Sequence, residues 1–142
     1  MFKQLDDTMF ASPQITPVQV REAAAQDITL IVNNRPDDED PEQPAGAAIA
    51  SAAREAGIDY VAIPVTHAGF SLPQVEAMQK ALDANHGKTL GFCRSGTRSA
   101  LLWALTQAHR GHDPDTIAEQ AQAAGYDVAP VRSIMDAFAA AK

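Results

Sequence analysis

The stretch Thr89-Leu90-Gly91-Phe92-Cys93-Arg94-Ser95-Gly96-Thr97-Arg98-Ser99 passes from a short apolar run into a loop dense with donors and cations. Beyond it, Leu101, Leu102, Leu105 and Ala108 recur at helical spacing, so Cys93 stands between a strand and a helix. The same alternation holds on either side. Ile28-Thr29-Leu30-Ile31-Val32 is β-branched and apolar almost throughout, as a strand buried on both faces must be, and it stops at Asn33-Asn34-Arg35-Pro36. Tyr60-Val61-Ala62-Ile63-Pro64-Val65 predicts another strand.

Helix signals fill the intervals. Thr16-Pro17-Val18-Gln19 and Ser71-Leu72-Pro73-Gln74 are capping boxes with proline in the first turn, and they predict helices over 16–26 and from 71 to near Gly87. Residues 47–56, 116–124 and 131–140 predict three more. Residues 36–46 hold three prolines and five acids and predict an exposed connector. Strands alternating with helices imply an α/β fold with a mostly parallel central sheet covered on both sides, and 142 residues suffice for one domain, 1–142.

A formal charge of −7 argues against nonspecific nucleic-acid or acidic-membrane binding, which relies on clustered Lys and Arg. Met1-Phe2-Lys3-Gln4-Leu5-Asp6-Asp7 has acids where a signal peptide needs an apolar run, so a cytoplasmic location is expected. Cys93 is the one cysteine, which excludes an internal disulfide and a multi-thiolate zinc site. His109, His112 and Asp113 are read as a helix end; neither metal nor cofactor is expected.

In a parallel sheet, ligands meet the carboxyl ends of strands, where the next helix offers unpaired N–H groups and a positive dipole end. Cys93 lies at such an end, and a thiolate is an anion that this environment favours. Gly96 lets the loop curl its amides into a cradle. Arg98 can clamp an oxyanion, and Arg94, Ser95, Thr97 and Ser99 are expected to add charge and hydroxyl donors to substrate. Cys93 and Arg98 are the expected catalytic pair.

The heptapeptide Cys93 to Ser99 resembles the active-site loop of rhodanese-like sulfurtransferases. Over nearly the whole chain, Ser12-Pro13-Gln14, Asn33-Asn34-Arg35-Pro36-Asp37, Ile63-Pro64-Val65 and Cys93 to Ser99 together resemble the beta-lactamase-hydrolase-like phosphatase-like domains, relatives of dual-specificity phosphatases. That resemblance implies a protein-tyrosine-phosphatase (dual-specificity-like) fold. Because some members of that family are joined to persulfide-oxidising domains, it also implies a persulfide dioxygenase as a partner.

Details of the loop favour sulfur over phosphate. Cys93 and Arg98 enclose four residues, one fewer than in tyrosine phosphatases, and a narrower ring suits a terminal sulfur. Phe92 replaces the usual preceding histidine, and Val65 to Phe70 contains no carboxylic acid to protonate a leaving oxygen, although His67 could substitute. The expected function is therefore sulfur transfer through a Cys93 persulfide, with thiosulfate or glutathione persulfide as the small anionic substrate. Two alternatives stand beside it: a phosphatase acting on a phosphoester through phosphocysteine, and a noncatalytic anion- or partner-binding module. Arg35, at a strand's carboxyl end, either faces the same mouth or serves a salt bridge; Trp103 is expected in the core.

Overall fold

The computed structural model describes residues 2–142. Five strands, β1 (Lys3–Gln4), β2 (Met9–Ser12), β3 (Ile28–Asn33), β4 (Asp59–Ala62) and β5 (Lys88–Phe92), form one sheet in the order β1-β2-β5-β3-β4. Only β1 is antiparallel to its neighbour; β2, β5, β3 and β4 run parallel. Six helices cover it: α1 (Pro17–Ala25), α2 (Gly46–Glu55), α3 (Leu72–Ala84), α4 (Thr97–His109), α5 (Pro114–Ala123) and α6 (Arg132–Ala140).

Side-chain alternation divides the core into two layers. In β3, Ile31 points to one face, where it packs with Val20 and Ala23 of α1 and Ile49 and Ala53 of α2. Leu30 and Val32 point to the other, where α3 to α6 contribute Val75, Met78, Leu102, Leu105, Ile117 and Met135. Helix α4 lies centrally: nine of its thirteen residues are buried, among them Trp103, whose Nε1–H donates to Asp6 Oδ2 at 3.1 Å. Trp103 is therefore a core residue with its one polar atom satisfied.

The Thr16 capping box forms in both directions: Thr16 Oγ1 accepts from Gln19 N at 3.3 Å and Gln19 Oε1 accepts from Thr16 N at 2.9 Å. At Ser71 the Gln74 side chain accepts from the cap N–H at 2.9 Å. The structure departs from the sequence reading in three places. Strand β4 ends at Ala62 rather than Val65, because Pro64 lacks an N–H to continue the ladder, yet Ile63 and Val65 still donate to the carbonyls of Asn33 and Asn34. Helix α4 begins at Thr97 with Gly96 as its cap, so the last residues of the stretch read as loop are already helical. β1 and β2 are absent from the sequence reading, being too short to show a period, and β2 is held by its pairing with β5. No helix among the described residues is long and apolar enough to cross a membrane.

Candidate active site

The carboxyl ends of β2, β5 and β3 lie side by side, so Ser12, Cys93 and Asn34 meet at one edge of the sheet. Cys93 N donates to Ser12 O at 3.3 Å and Asn34 N donates to Phe92 O at 2.9 Å, which anchors the start of the loop on both sides. Asn34 and Ser99 add a buried polar brace: Ser99 Oγ donates to Asn34 Oδ1 at 2.7 Å, and Asn34 Nδ2 donates to Ile63 O at 2.9 Å. The Ser99 hydroxyl is thus committed to tying α4 to the sheet and is not a donor to a ligand.

The loop then folds back on the thiol. Gly96 adopts φ 93° and ψ −13°, a left-handed conformation that side chains other than hydrogen resist, and this aims its N–H at Cys93 Sγ, 3.1 Å away. Space demands glycine here as well: a Cβ would stand 2.2 Å from the Tyr126 hydroxyl oxygen and 3.2 Å from the Ser12 carbonyl carbon. Tyr126 itself donates to Ser95 O at 3.4 Å. Its pKa is raised from the ordinary phenol value, first by burial and then by the negative charge available at Cys93.

Arg98 is held by three hydrogen bonds to two partners. Nη1 donates to Glu39 Oε2 at 2.7 Å and to Val65 O at 2.8 Å, and Nη2 donates to Glu39 Oε1 at 2.9 Å. A guanidinium carries five N–H donors, so these bonds leave the Nε–H and one Nη2–H, which lie parallel along one edge. The cationic form of Arg98 is favoured chiefly by its hydrogen bonds to Glu39, against partial burial, and further by the adjacent Cys93. Arg98 thus remains beside the sulfur while its far end is fixed by a carboxylate. That arrangement presents a two-donor edge suited to an oxyanion.

Glu39 is the residue that the sequence did not disclose. It comes from the acidic 36–46 segment, and it also accepts from Arg35 Nε at 2.9 Å, while Arg35 Nη1 donates to Gln14 Oε1 at 3.1 Å. Arg35 is 6% exposed and serves the salt bridge, sharing the Glu39 carboxylate with Arg98. The Arg98 hydrogen bonds, opposed by burial and assisted by Arg35, lower the Glu39 carboxyl to about 2. It is therefore a permanent anion between two cations.

The remaining expected site residues divide. Arg94 is exposed, and it is its carbonyl that participates, accepting from Gln14 N at 3.3 Å. Ser95 Oγ donates to Thr97 Oγ1 at 3.0 Å and accepts from Thr97 N at 3.3 Å, which organises the first turn of α4. His67 is exposed in the turn closed by Gly69 N to Thr66 O. Cys93 is fully buried, at 0% exposure, where an active thiolate is expected to meet solvent. The Gly96 N–H and the Arg98 guanidinium stand against its sulfur. Among the described residues no group of three or more His, Cys, Asp or Glu is disposed to hold a metal ion.

Residues 1–110 match the family model described as beta-lactamase hydrolase-like protein, phosphatase-like domain. The chain belongs to this family. A beta-lactamase hydrolase-like protein of Xylella fastidiosa is 36% identical over 99 residues, which are 69% of this chain but 23% of that protein. The chain therefore spans under a quarter of the length of that relative. A Neisseria meningitidis crystal structure described as a candidate phosphatase is 33% identical, covers 96% of both chains and superposes with a TM-score of 0.84. The crystal structure of Tk-PTP, 16% identical with a TM-score of 0.76 over 98% of this chain and 96% of that one, shares the fold. This domain of the family is thus phosphatase-like, on a protein-tyrosine/dual-specificity-phosphatase fold. The expectation of a rhodanese-like sulfurtransferase finds no support in these matches, which are phosphatase-like and favour the phosphatase alternative.

Proposed function

We propose that the chain is a phosphomonoester hydrolase that works through a phosphocysteine at Cys93. The supporting observation is the juxtaposition of Cys93 Sγ, the Gly96 N–H and the Glu39-braced edge of Arg98 at the carboxyl end of β5, on a phosphatase-like fold. An incoming phosphoryl group draws on the Nε and Nη2 donors of Arg98 and on the amides at the start of α4. Cys93, as thiolate, attacks phosphorus; the S–P bond forms as the P–O bond to the alcohol breaks, and the alkoxide or phenoxide departs with the electron pair. Water then attacks the phosphocysteine, releasing inorganic phosphate and restoring the thiolate.

The weak point of such a site is protonation of the leaving oxygen. Glu39, the carboxylate on the clamp, is ionised at any working pH and cannot donate. Among the described residues, the Val65 to Phe70 segment offers His67 but no carboxylic acid. Esters of acidic alcohols, whose anions leave without a proton, are therefore the favoured substrates.

Purified protein and Cys93→Ser are offered an aryl phosphate, and separately thiosulfate with cyanide. Phosphate release that disappears in Cys93→Ser supports the reading. Cys93-dependent thiocyanate with no phosphate release would replace it with sulfur transfer.

A further inference from the structure

The 36–46 segment, which the sequence presents as an exposed connector, is tied across its base. Helix α2 opens on Ala45, whose side chain has no oxygen with which to cap it. Asp37 supplies the cap from nine residues before Gly46: its Oδ1 accepts from Gly46 N at 2.8 Å, and its charge lies at the positive end of the helix dipole. The carboxylate comes this close because Gly46 has no side chain. A Cβ there would stand 3.2 Å from Asp37 Oδ1, 3.2 Å from the Tyr60 hydroxyl and 3.3 Å from Asn33 Nδ2. Gln43 closes the segment a second time, its Nε2 donating to Pro36 O at 2.9 Å.

One residue after this cap the chain bends. Asp38 has φ 64°, a left-handed conformation that costs an L-residue free energy and persists only where its surroundings over-determine it. Both neighbours do so here: Asp37 is bonded to α2, and Glu39 to Arg35 and Arg98. In three consecutive acids, Asp37 is the anchor, Asp38 the bend and Glu39 the brace.

We infer that Asp37 is a positioning residue for the Arg98 clamp: by capping α2 it closes residues 37–46 into an arm that holds Glu39 against the guanidinium. The inference deepens the phosphatase reading and rests on it, since Glu39 sets which edge of Arg98 is left for an oxyanion. The physical case is pre-organisation. A carboxylate carried on a free loop gives up chain entropy each time it meets its partner. Anchored two residues away, Glu39 is already in place, and the guanidinium receives an oxyanion without first being gathered into position.

The test uses the full chain carrying Cys93→Ser, which binds an oxyanion without turnover, and reads its affinity for inorganic phosphate by isothermal titration. On that background Asp37→Ala should weaken binding about fivefold, the factor that corresponds to a typical helix cap. Asp37→Asn, whose amide oxygen still accepts from Gly46 N, should stay within about twofold of the parent. Added to Glu39→Gln, Asp37→Ala should cost less than about twofold more, because the arm then has no charged brace to place. Asp38→Gly takes the left-handed bend freely and should also stay within about twofold, whereas Asp38→Val, a β-branched residue that resists it, should behave as Asp37→Ala does. If Asp37→Ala fails to fold in a thermal melt, the two Asp38 variants decide. Loss of stability in Asp37→Ala with unchanged phosphate affinity marks Asp37 as a cap of α2 alone and overturns the inference. So does a full fivefold loss on top of Glu39→Gln, or no phosphate binding by the parent, since the arm would then have no clamp to set. Failure of the phosphatase reading is separately visible: the pattern of affinities would persist while protein with Cys93 intact released no phosphate from an aryl ester.

Discussion

Replacing Gly96 by alanine tests how the loop is built. Two costs arise from the structure. At φ 93° an L-residue is strained, and a backbone held in such a region costs about 1–3 kcal/mol. The new methyl would also stand 2.2 Å from the Tyr126 hydroxyl and 3.2 Å from the Ser12 carbonyl carbon. Tyr126 can swing outward and lose only its long 3.4 Å bond to Ser95 O, but Ser12 is the last residue of β2 and cannot move without disturbing the ladder to β5. Together these predict a loss of about 2–4 kcal/mol in folding stability, unless the loop flips and turns the Gly96 N–H away from Cys93. Urea unfolding measures the first outcome, and Cys93-dependent turnover measures the second. Tyr126→Ala should return part of the loss in the double variant, since it removes the nearer contact. If Gly96→Ala keeps stability within about 0.5 kcal/mol of the parent and leaves turnover intact, the described loop geometry is wrong.

Four further outcomes follow from the clamp and its brace. Glu39→Gln keeps the shape but removes the charge between Arg35 and Arg98, so kcat/KM should fall about 10- to 100-fold, with a change in melting temperature of only a few degrees. Because the Glu39 carboxyl is lowered from 4.5 to about 2 in the folded protein, its contribution is fully present above about pH 5 and is lost as pH falls through 2. The difference in stability between wild type and Glu39→Gln, read by denaturation at a series of pH values, should accordingly be constant at neutral pH and shrink between these limits. Asn34→Leu would strand the Ser99 hydroxyl and the Ile63 carbonyl in the interior and should cost about 2–4 kcal/mol by urea unfolding. Iodoacetamide should label the fully buried Cys93 slowly in the native protein and several-fold faster in Arg98→Ala, followed by mass spectrometry.

Much of the fold is visible in local chemistry. Thr16-Pro17-Val18-Gln19 closes its capping box as written, Ile28 to Val32 is a central strand because it is apolar on both faces, and the run from Thr89 to Ser99 is strand, loop and helix in that order. What escapes the sequence is what depends on distance along the chain. Glu39 is one acid among five in a proline-rich segment, and nothing local distinguishes it from Asp38 or Asp40; only the fold carries it to Arg98, 59 residues away. Tyr126 reads as part of a helix break, yet its hydroxyl lies over Gly96. β2 is four residues long with no alternation to detect, and it exists because β5 offers it a ladder. A small signal for Glu39 lies in the salt-bridge alternative for Arg35: a cation near Arg98 at a partly buried site needs an anion between the two.

The phosphatase assignment stands or falls with the covalent intermediate. Protein mixed with an aryl phosphate, quenched in acid within the first turnover and digested for mass spectrometry, should carry a phosphoryl group on Cys93, and the adduct should be absent from Cys93→Ser. Rapid phosphate release with Cys93 unmodified at every quench time, or release undiminished in Cys93→Ser, would contradict nucleophilic catalysis by this residue.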